Sequence, residues 1–271
     1  MTPSHTPGYF RSALRVFDLS VSEMLWSRRT IFMALVIGVP VVIAPIVRLL
    51  DSLSGRGLPM TGPAVFGLMI WVFYLRFAVP VLGVFYGTSL IADEIEDKTI
   101  TYLFTRPIPR GGVLLGKYLA YLACTVFVVL PSVVITYLCV VPMRGSLGGS
   151  FIDLVKDLVL LAIGLAVYGA VFAAVGARLK RPILTGLFFI FGWEQVALAI
   201  PGYMRQFTVA YYLQALVPHA LPSDSVVSLI QSIFHDTPSL GTALFWLAAI
   251  LLVFLWIAAV SVERKEYVLE Q

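Results

Sequence analysis

The most informative scarcity in this sequence is that of charge. Only 13% of its 271 residues are charged, whereas soluble domains carry about 25%. Apolar residues make up 59% of the chain, and the mean hydropathy is +0.93. A chain this apolar cannot cover a water-facing surface, so its solvent must be lipid. Because helices satisfy their own backbone hydrogen bonds in lipid, we predict an all-α membrane protein.

Residue types that carry metal, redox and nucleotide chemistry are also scarce. The two cysteines, Cys124 and Cys139, share one apolar run, where a helix would hold them about 22 Å apart, too far for a disulfide. Asp224 and Asp236 each lie near a histidine, but no ligand-like spacing supports a metal site there. No G-x-x-x-x-G-K-[ST] phosphate loop is present. The three histidines lie outside the apolar runs: His5, His219 and His235.

Six apolar runs are each long enough to cross about 30 Å of hydrocarbon as a helix. No internal repeat or soluble domain accompanies them, so we predict one transmembrane domain over residues 1–271. The N-terminus has no cleavable signal pattern, and the first span is therefore expected to remain in the mature protein. The runs cover residues 31–50, 65–91, 113–141, 152–177, 183–201 and 241–262, of which the fifth is the shortest.

The basic residues predict the orientation of these spans, because Lys and Arg are enriched in cytoplasmic connections. With both termini cytoplasmic, the outer set has five members: Arg48, Arg56, Arg144, Lys156 and Arg205. The cytoplasmic set has thirteen: Arg11, Arg15, Arg28, Arg29, Lys98, Arg106, Arg110, Lys117, Arg178, Lys180, Arg181, Arg264 and Lys265. This imbalance favours cytoplasmic N- and C-termini.

Segments outside the spans are expected to form short amphipathic helices. Residues 9–27 place apolar side chains at helical spacing opposite polar ones, which predicts a helix in the membrane interface. A helix packed on another subunit is the alternative. The outer loop 202–240 is long and apolar, and its segments 207–216 and 226–234 each favour a short helix. We expect this loop to be packed or re-entrant.

The connection between the second and third runs has the most distinctive pattern. A short acid-edged helix at the end of two spans can seat in a pocket of a soluble partner and carry its motion into the membrane. Alternatively, these residues only cap helix ends, since acids near a helix start and bases near its end are favourable without a partner. In order, the connection contains Asp93, Glu94, Glu96 and Asp97, a short helix from Thr99 to Thr105, Pro107, Arg110, and Gly116-Lys117-Tyr118.

This connection resembles the membrane subunits of ATP-binding-cassette exporters of the type-2 permease family. The shared pattern is an acidic pair, a Thr, a Leu-containing turn, Arg-Pro-Ile-Pro-Arg at 106–110 and Gly-Lys-Tyr at 116–118. Such permeases have six spans, an N-terminal interfacial helix, a coupling helix after the second span and short outer helices after the fifth. All four features agree with the predictions above. The family commonly has Gly before the Thr, where this chain has Lys98.

The resemblance implies roles for particular residues. Glu94 and Glu96 would contact a partner ATPase or the cytoplasmic gate, and residues 99–104 would be the coupling helix. The whole set implied in coupling is Asp93, Glu94, Glu96, Thr99, Tyr102, Leu103, Arg110 and Lys117. ATP and Mg²⁺ would bind to the partner, so this chain is expected to hold no cofactor and to be non-catalytic.

The resemblance also implies a complete assembly. Two permease copies in a homodimer, or this chain with a close homologue, would form the pathway with two cytoplasmic ATP-binding subunits and export a substrate across a bacterial or archaeal cell (inner) membrane. Membrane lipid is an expected partner and nucleic acid is not. The alternatives are an integral membrane enzyme, a secondary transporter, or an ATP-driven permease that moves a periplasmic partner or a cofactor precursor rather than exporting a free solute. The scarcity of polar groups in the runs favours a hydrophobic or amphiphilic substrate.

Arg76 sits well inside the second run, and Glu194 lies inside the fifth. Charged groups at membrane depth are costly unless paired or hydrated, and they commonly mark functional sites. We predict that these two meet within the bundle, as an ion pair or across a polar translocation path. The alternative is that they fix helix packing, either as a pair or as two separately hydrated groups.

Overall fold

The computed structural model describes residues 16–22, 24, 28–53, 61–96, 110–143, 145–200, 203–217 and 238–264. Within these ranges, every regular element is a helix. Six helices are long and apolar enough to cross a membrane, which confirms the predicted six-span architecture. We call them span 1 (Thr30–Leu53), span 2 (Gly62–Ala92), span 3 (Gly111–Val140), span 4 (Phe151–Arg178), span 5 (Pro182–Ala199) and span 6 (Leu240–Glu263).

The spans belong to somewhat longer helical elements. Spans 1, 3, 4 and 6 are the α-helices Arg28–Leu53, Arg110–Val140, Phe151–Arg178 and Leu240–Arg264. Span 2 alternates α and wider π geometry: Gly62–Leu68, Met69–Ala78 (π), Val79–Leu82, Gly83–Gly87 (π) and Ser89–Glu96. Span 5 does the same: Pro182–Phe188, Phe189–Glu194 (π) and Gln195–Ala199. Between spans 5 and 6 lie a 3-10 turn, Tyr203–Phe207, and the α-helix Val209–Gln214, which we call the loop helix.

Span 4 is the centre of the bundle. It packs against spans 2, 3 and 6, and 67% of its most apolar stretch is buried, compared with 17% for span 6 and 28% for spans 1 and 5. The exposed side chains of the outer spans are mainly Leu, Ile, Val and Phe. Such surfaces are stable only against lipid or other protein, as the composition requires.

Glycines let span 2 approach span 4 closely. Gly83 and Gly87 are one turn apart, and a methyl group on either would meet span 4: at 2.7 Å from Cβ of Tyr168 and 3.0 Å from the carbonyl oxygen of Gly169, respectively. Thr88 directly follows Gly87, and its backbone contacts Gly176 of span 4. Small residues at such spacing bring helix backbones together in lipid, where packing drives association.

Tyrosine hydroxyls link the central spans through hydrogen bonds. Tyr118 and Tyr121 of span 3 donate to the carbonyl oxygens of Ala166 and Leu165 in span 4, at 2.7 and 2.8 Å. In span 2, the hydroxyl of Tyr74 lies 3.0 Å from that of Ser132 in span 3. Because lipid offers no hydrogen-bond partner, each of these bonds favours the assembled bundle.

The Tyr121 bond makes a first testable prediction. Tyr121→Phe removes only the hydroxyl of a fully buried ring, and we expect it to destabilise the protein by about 1 kcal/mol. The matched control is Tyr203→Phe, because Tyr203 is 82% exposed. Thermal unfolding in detergent should show a lower midpoint for Tyr121→Phe alone. Equal midpoints for both variants and the parent would contradict this role.

The segments predicted outside the spans are described only in part. Residues 16–22 are helical, and most of the predicted interfacial helix 9–27 lies outside the described residues. The loop helix falls within the predicted segment 207–216, whereas the predicted segment 226–234 lies outside the described residues.

Candidate functional site

The connection between spans 2 and 3 begins on a helix that continues span 2. Ser89–Glu96 packs against span 3, so the two ends of the connection lie at the same end of the bundle. This helix carries Asp93, Glu94 and Glu96, whose side chains lie outside the described part of the structure, as do Thr99, Tyr102 and Leu103. Their coupling role stays a prediction.

The start of span 3 supplies the other two residues of the predicted coupling set. Arg110 is the first residue of the helix Arg110–Val140, and its side chain is not described. Lys117 lies two turns further along and is only 9% exposed. A buried lysine is costly to desolvate, so Lys117 is part of the packed end of the bundle, and its coupling role stays a prediction.

Arg76 lies near the middle of the 31-residue span 2, within the π segment Met69–Ala78. Pro80 follows this segment and has no N–H to donate, and the Val79 N–H bonds five residues back to the Tyr74 carbonyl. The widened turns thus lie next to a proline, which cannot donate the hydrogen bond that a regular α-helix would have at that position. The Arg76 guanidinium lies 5.4 Å from the centre of the Trp71 ring, a cation–π contact.

Glu194 is held by hydrogen bonds in a buried position. It ends the π segment Phe189–Glu194 of span 5 and is 2% exposed. Its Oε1 accepts a hydrogen bond from the Tyr168 hydroxyl of span 4 at 2.7 Å and another from the Ala210 N–H at 3.0 Å. The carboxylate therefore ties span 5 to span 4 and to the first turn of the loop helix.

Arg76 and Glu194 lie on neighbouring helices. The rings of Phe77 and Phe191 are 6.3 Å apart, which brings spans 2 and 5 together beside the two charges, and Arg76 interacts electrostatically with Glu194. Among the described side chains, however, no direct ion pair joins Arg76 to Glu194. The Arg76 Nε is buried and makes no hydrogen bond to any described residue.

The loop helix is fixed at its start and along its face. Thr208 precedes it and caps it, accepting from the Tyr211 N–H at 3.4 Å. The Arg205 side chain is 8% exposed, and its Nε donates to the Ile200 carbonyl at 3.3 Å. Tyr212 stacks on Trp246 of span 6 with the ring centres 6.3 Å apart. The helix after span 5 is thus packed onto the bundle, as expected for an apolar loop.

Sequence reasoning missed the groups that hold Glu194. Tyr168 had a visible signal, as a hydroxyl inside an apolar run, but the Ala210 N–H had none. Asp157 is fully buried in span 4, and its position inside the run 152–177 was the signal for it. Arg205 was assigned to the outer loop, and its burial was not foreseen.

Metal chemistry has no support in the described part of the chain, where no group of three or more His, Cys, Asp or Glu side chains could hold an ion. His219 and His235, the residues weighed for a metal site, lie outside the described residues.

Comparison with known families identifies the family of this chain. The sequence profile described as "ABC-2 family transporter protein" matches residues 74–267, which is well over half of the chain and runs from the middle of span 2 past the end of span 6. The matched region includes Arg76, Glu194 and the connection between spans 2 and 3. No curated protein matches the chain.

Proposed function

The chain belongs to the ABC-2 transporter family and is a multi-pass membrane permease, and from this premise we propose that it forms the membrane half of an ATP-driven exporter. The observation that carries the proposal is the family match over the six-span bundle. Membership implies an ATP-binding partner subunit. In our proposal that subunit binds ATP and Mg²⁺ and hydrolyses ATP, while this chain moves the substrate and holds no cofactor.

The geometry supports a route from the partner to the membrane interior. The helix Ser89–Glu96 continues span 2, so a force on the connection after it acts directly on that span. Span 2 touches span 4 backbone to backbone at Gly176, and span 4 holds Glu194 through Tyr168. A displacement of the coupling residues would therefore reach the π segments around both intramembrane charges.

The proposed assembly contains two copies of this permease and two ATP-binding subunits. Six spans supply half of a pathway, and the apolar exposed faces of spans 1 and 6 offer surfaces for a second copy. The basic-residue distribution supports cytoplasmic termini and a cytoplasmic coupling segment in a bacterial or archaeal cell membrane. Export is the direction that the resemblance of the coupling segment favours.

Site-directed crosslinking tests the proposal. Leu103→Cys, placed in a background with Cys124 and Cys139 replaced by alanine, should crosslink to an ATP-binding subunit that copurifies with the chain. Tyr203→Cys is the control, because Tyr203 is exposed next to the loop helix, at the opposite end of the bundle. It should form no such crosslink. A chain that purifies without an ATPase, and that itself hydrolyses a substrate, would instead indicate a membrane enzyme.

A further inference from the structure

Arg76 has a positive charge that its own protein neutralises poorly. It lies about 20 Å along the helix from either end of span 2, so its side chain cannot reach the membrane surface. Glu194, the carboxylate that interacts electrostatically with Arg76, already accepts from Tyr168 and Ala210 and forms no direct ion pair with Arg76 among the described side chains. An arginine at this depth is costly without a counter-ion.

The surface beside Arg76 is apolar and open. The Arg76 side chain is only half-buried, so part of the guanidinium is accessible while its Nε remains buried without a described hydrogen-bond partner. Phe77 and Phe191, which touch each other, are 40% and 51% exposed, and Val72 is 47% exposed. This combination places a cation next to a hydrocarbon-like surface between spans 2 and 5.

We propose that Arg76 binds the head group of an anionic amphiphile, whose hydrocarbon chain lies along Phe77 and Phe191 between spans 2 and 5. A guanidinium binds phosphate and carboxylate through paired, charge-assisted hydrogen bonds, and the Trp71 ring stabilises its charge through the cation–π contact. If the bound amphiphile is the transported substrate, the inference also rests on the proposed transport function. The binding itself needs only the permease.

Equilibrium dialysis with radiolabelled dodecyl phosphate tests the site on the full chain in phosphatidylcholine nanodiscs. We expect saturable binding that Arg76→Gln weakens at least about tenfold, the loss of one charge-assisted contact. The control Arg48→Gln should bind like the parent, because Arg48 is exposed near the end of span 1 and donates to the Cys139 carbonyl. Dodecyltrimethylammonium, which has the same tail and a cationic head, should not compete. Unchanged binding in Arg76→Gln, or equal competition by the cation, overturns the proposal.

A second measurement needs no variant, in case Arg76→Gln does not fold. Phenylglyoxal modifies accessible arginines, and mass spectrometry reports each site separately. Dodecyl phosphate should slow the modification of Arg76 several-fold and leave that of Arg48 unchanged. Equal modification of Arg76 with and without dodecyl phosphate would overturn the proposal.

Two further arms identify the source of the ligand. If bilayer lipid occupies the site, nanodiscs with 20% phosphatidylglycerol should weaken dodecyl phosphate binding in the parent but not alter the residual binding of Arg76→Gln. If a transported solute occupies it, phosphatidylglycerol should have no effect, and dodecyl phosphate should stimulate ATP turnover by the copurified complex. Either result supports the site. Failure to copurify an ATPase would overturn the transport function and leave the binding result standing.

Discussion

Gly176→Ala is expected to lower the unfolding free energy by about 2 kcal/mol and to impair assembly of the bundle. The added methyl group would lie 2.9 Å from both the carbonyl carbon and the Cα of Thr88, and closer still to its carbonyl oxygen. These are backbone atoms, so no side-chain rotation can relieve the overlap. Spans 2 and 4 would have to separate, which would also loosen the contacts at Gly83 and Gly87.

The matched control is the same substitution at Gly38 in span 1. There, no described atom lies within 4 Å of the added methyl group, and alanine is the better helix former by about 1 kcal/mol. Gly38→Ala should therefore unfold at the same temperature as the parent or slightly higher. The detergent-solubilised variants are heated, and the protein that remains folded at each temperature is quantified by size-exclusion chromatography. This gives an unfolding temperature for each variant. Similar unfolding temperatures for the two variants would show that spans 2 and 4 are not in close backbone contact.

The six spans could be predicted from the sequence because the requirement is one-dimensional. A helix that crosses lipid needs about 20 consecutive apolar residues, and this is visible without knowing its neighbours. The ends differed by up to three residues: the second run was predicted at 65–91, and span 2 is Gly62–Ala92. Its first turn is not especially apolar, and it is positioned by a hydrogen bond from the Gly62 N–H to the Met143 carbonyl.

Helix order and close packing could not be predicted in this way. The four-residue spacing of Gly83 and Gly87 is visible in the sequence, but their partners Gly169 and Phe172 depend on which spans are neighbours. Short connections leave several arrangements of six helices open. The exposed or buried state of a glycine is therefore a property of the bundle.

The partners of the intramembrane charges could not be predicted from the sequence either. That Arg76 and Glu194 need compensation follows from their depth alone. The groups that satisfy Glu194 are a tyrosine hydroxyl on span 4 and a backbone N–H beyond the end of span 5. Every non-proline residue has such an N–H, so no sequence pattern distinguishes Ala210 from its neighbours.

Glu194→Ala is expected to release the loop helix from span 5. It leaves the Tyr168 hydroxyl and the Ala210 N–H buried without their acceptor, and each unsatisfied group costs about 1–3 kcal/mol. Limited trypsin digestion offers a local readout, because Arg205 is buried in the turn that leads into the loop helix. Cleavage after Arg205 should become several-fold faster, while cleavage after Lys156, on the exposed face of span 4, should not change.

Glu194→Gln separates the hydrogen bonds from the charge. Its amide oxygen can accept from both Tyr168 and Ala210, so if these bonds hold the loop helix, cleavage after Arg205 should stay near the parent rate. Tyr168→Phe removes one donor and leaves the Ala210 N–H bonded to the carboxylate, and should be intermediate. If Glu194→Gln instead behaved like Glu194→Ala, the negative charge itself would be the essential feature. The electrostatic interaction with Arg76, rather than the two hydrogen bonds, would then hold span 5 in place.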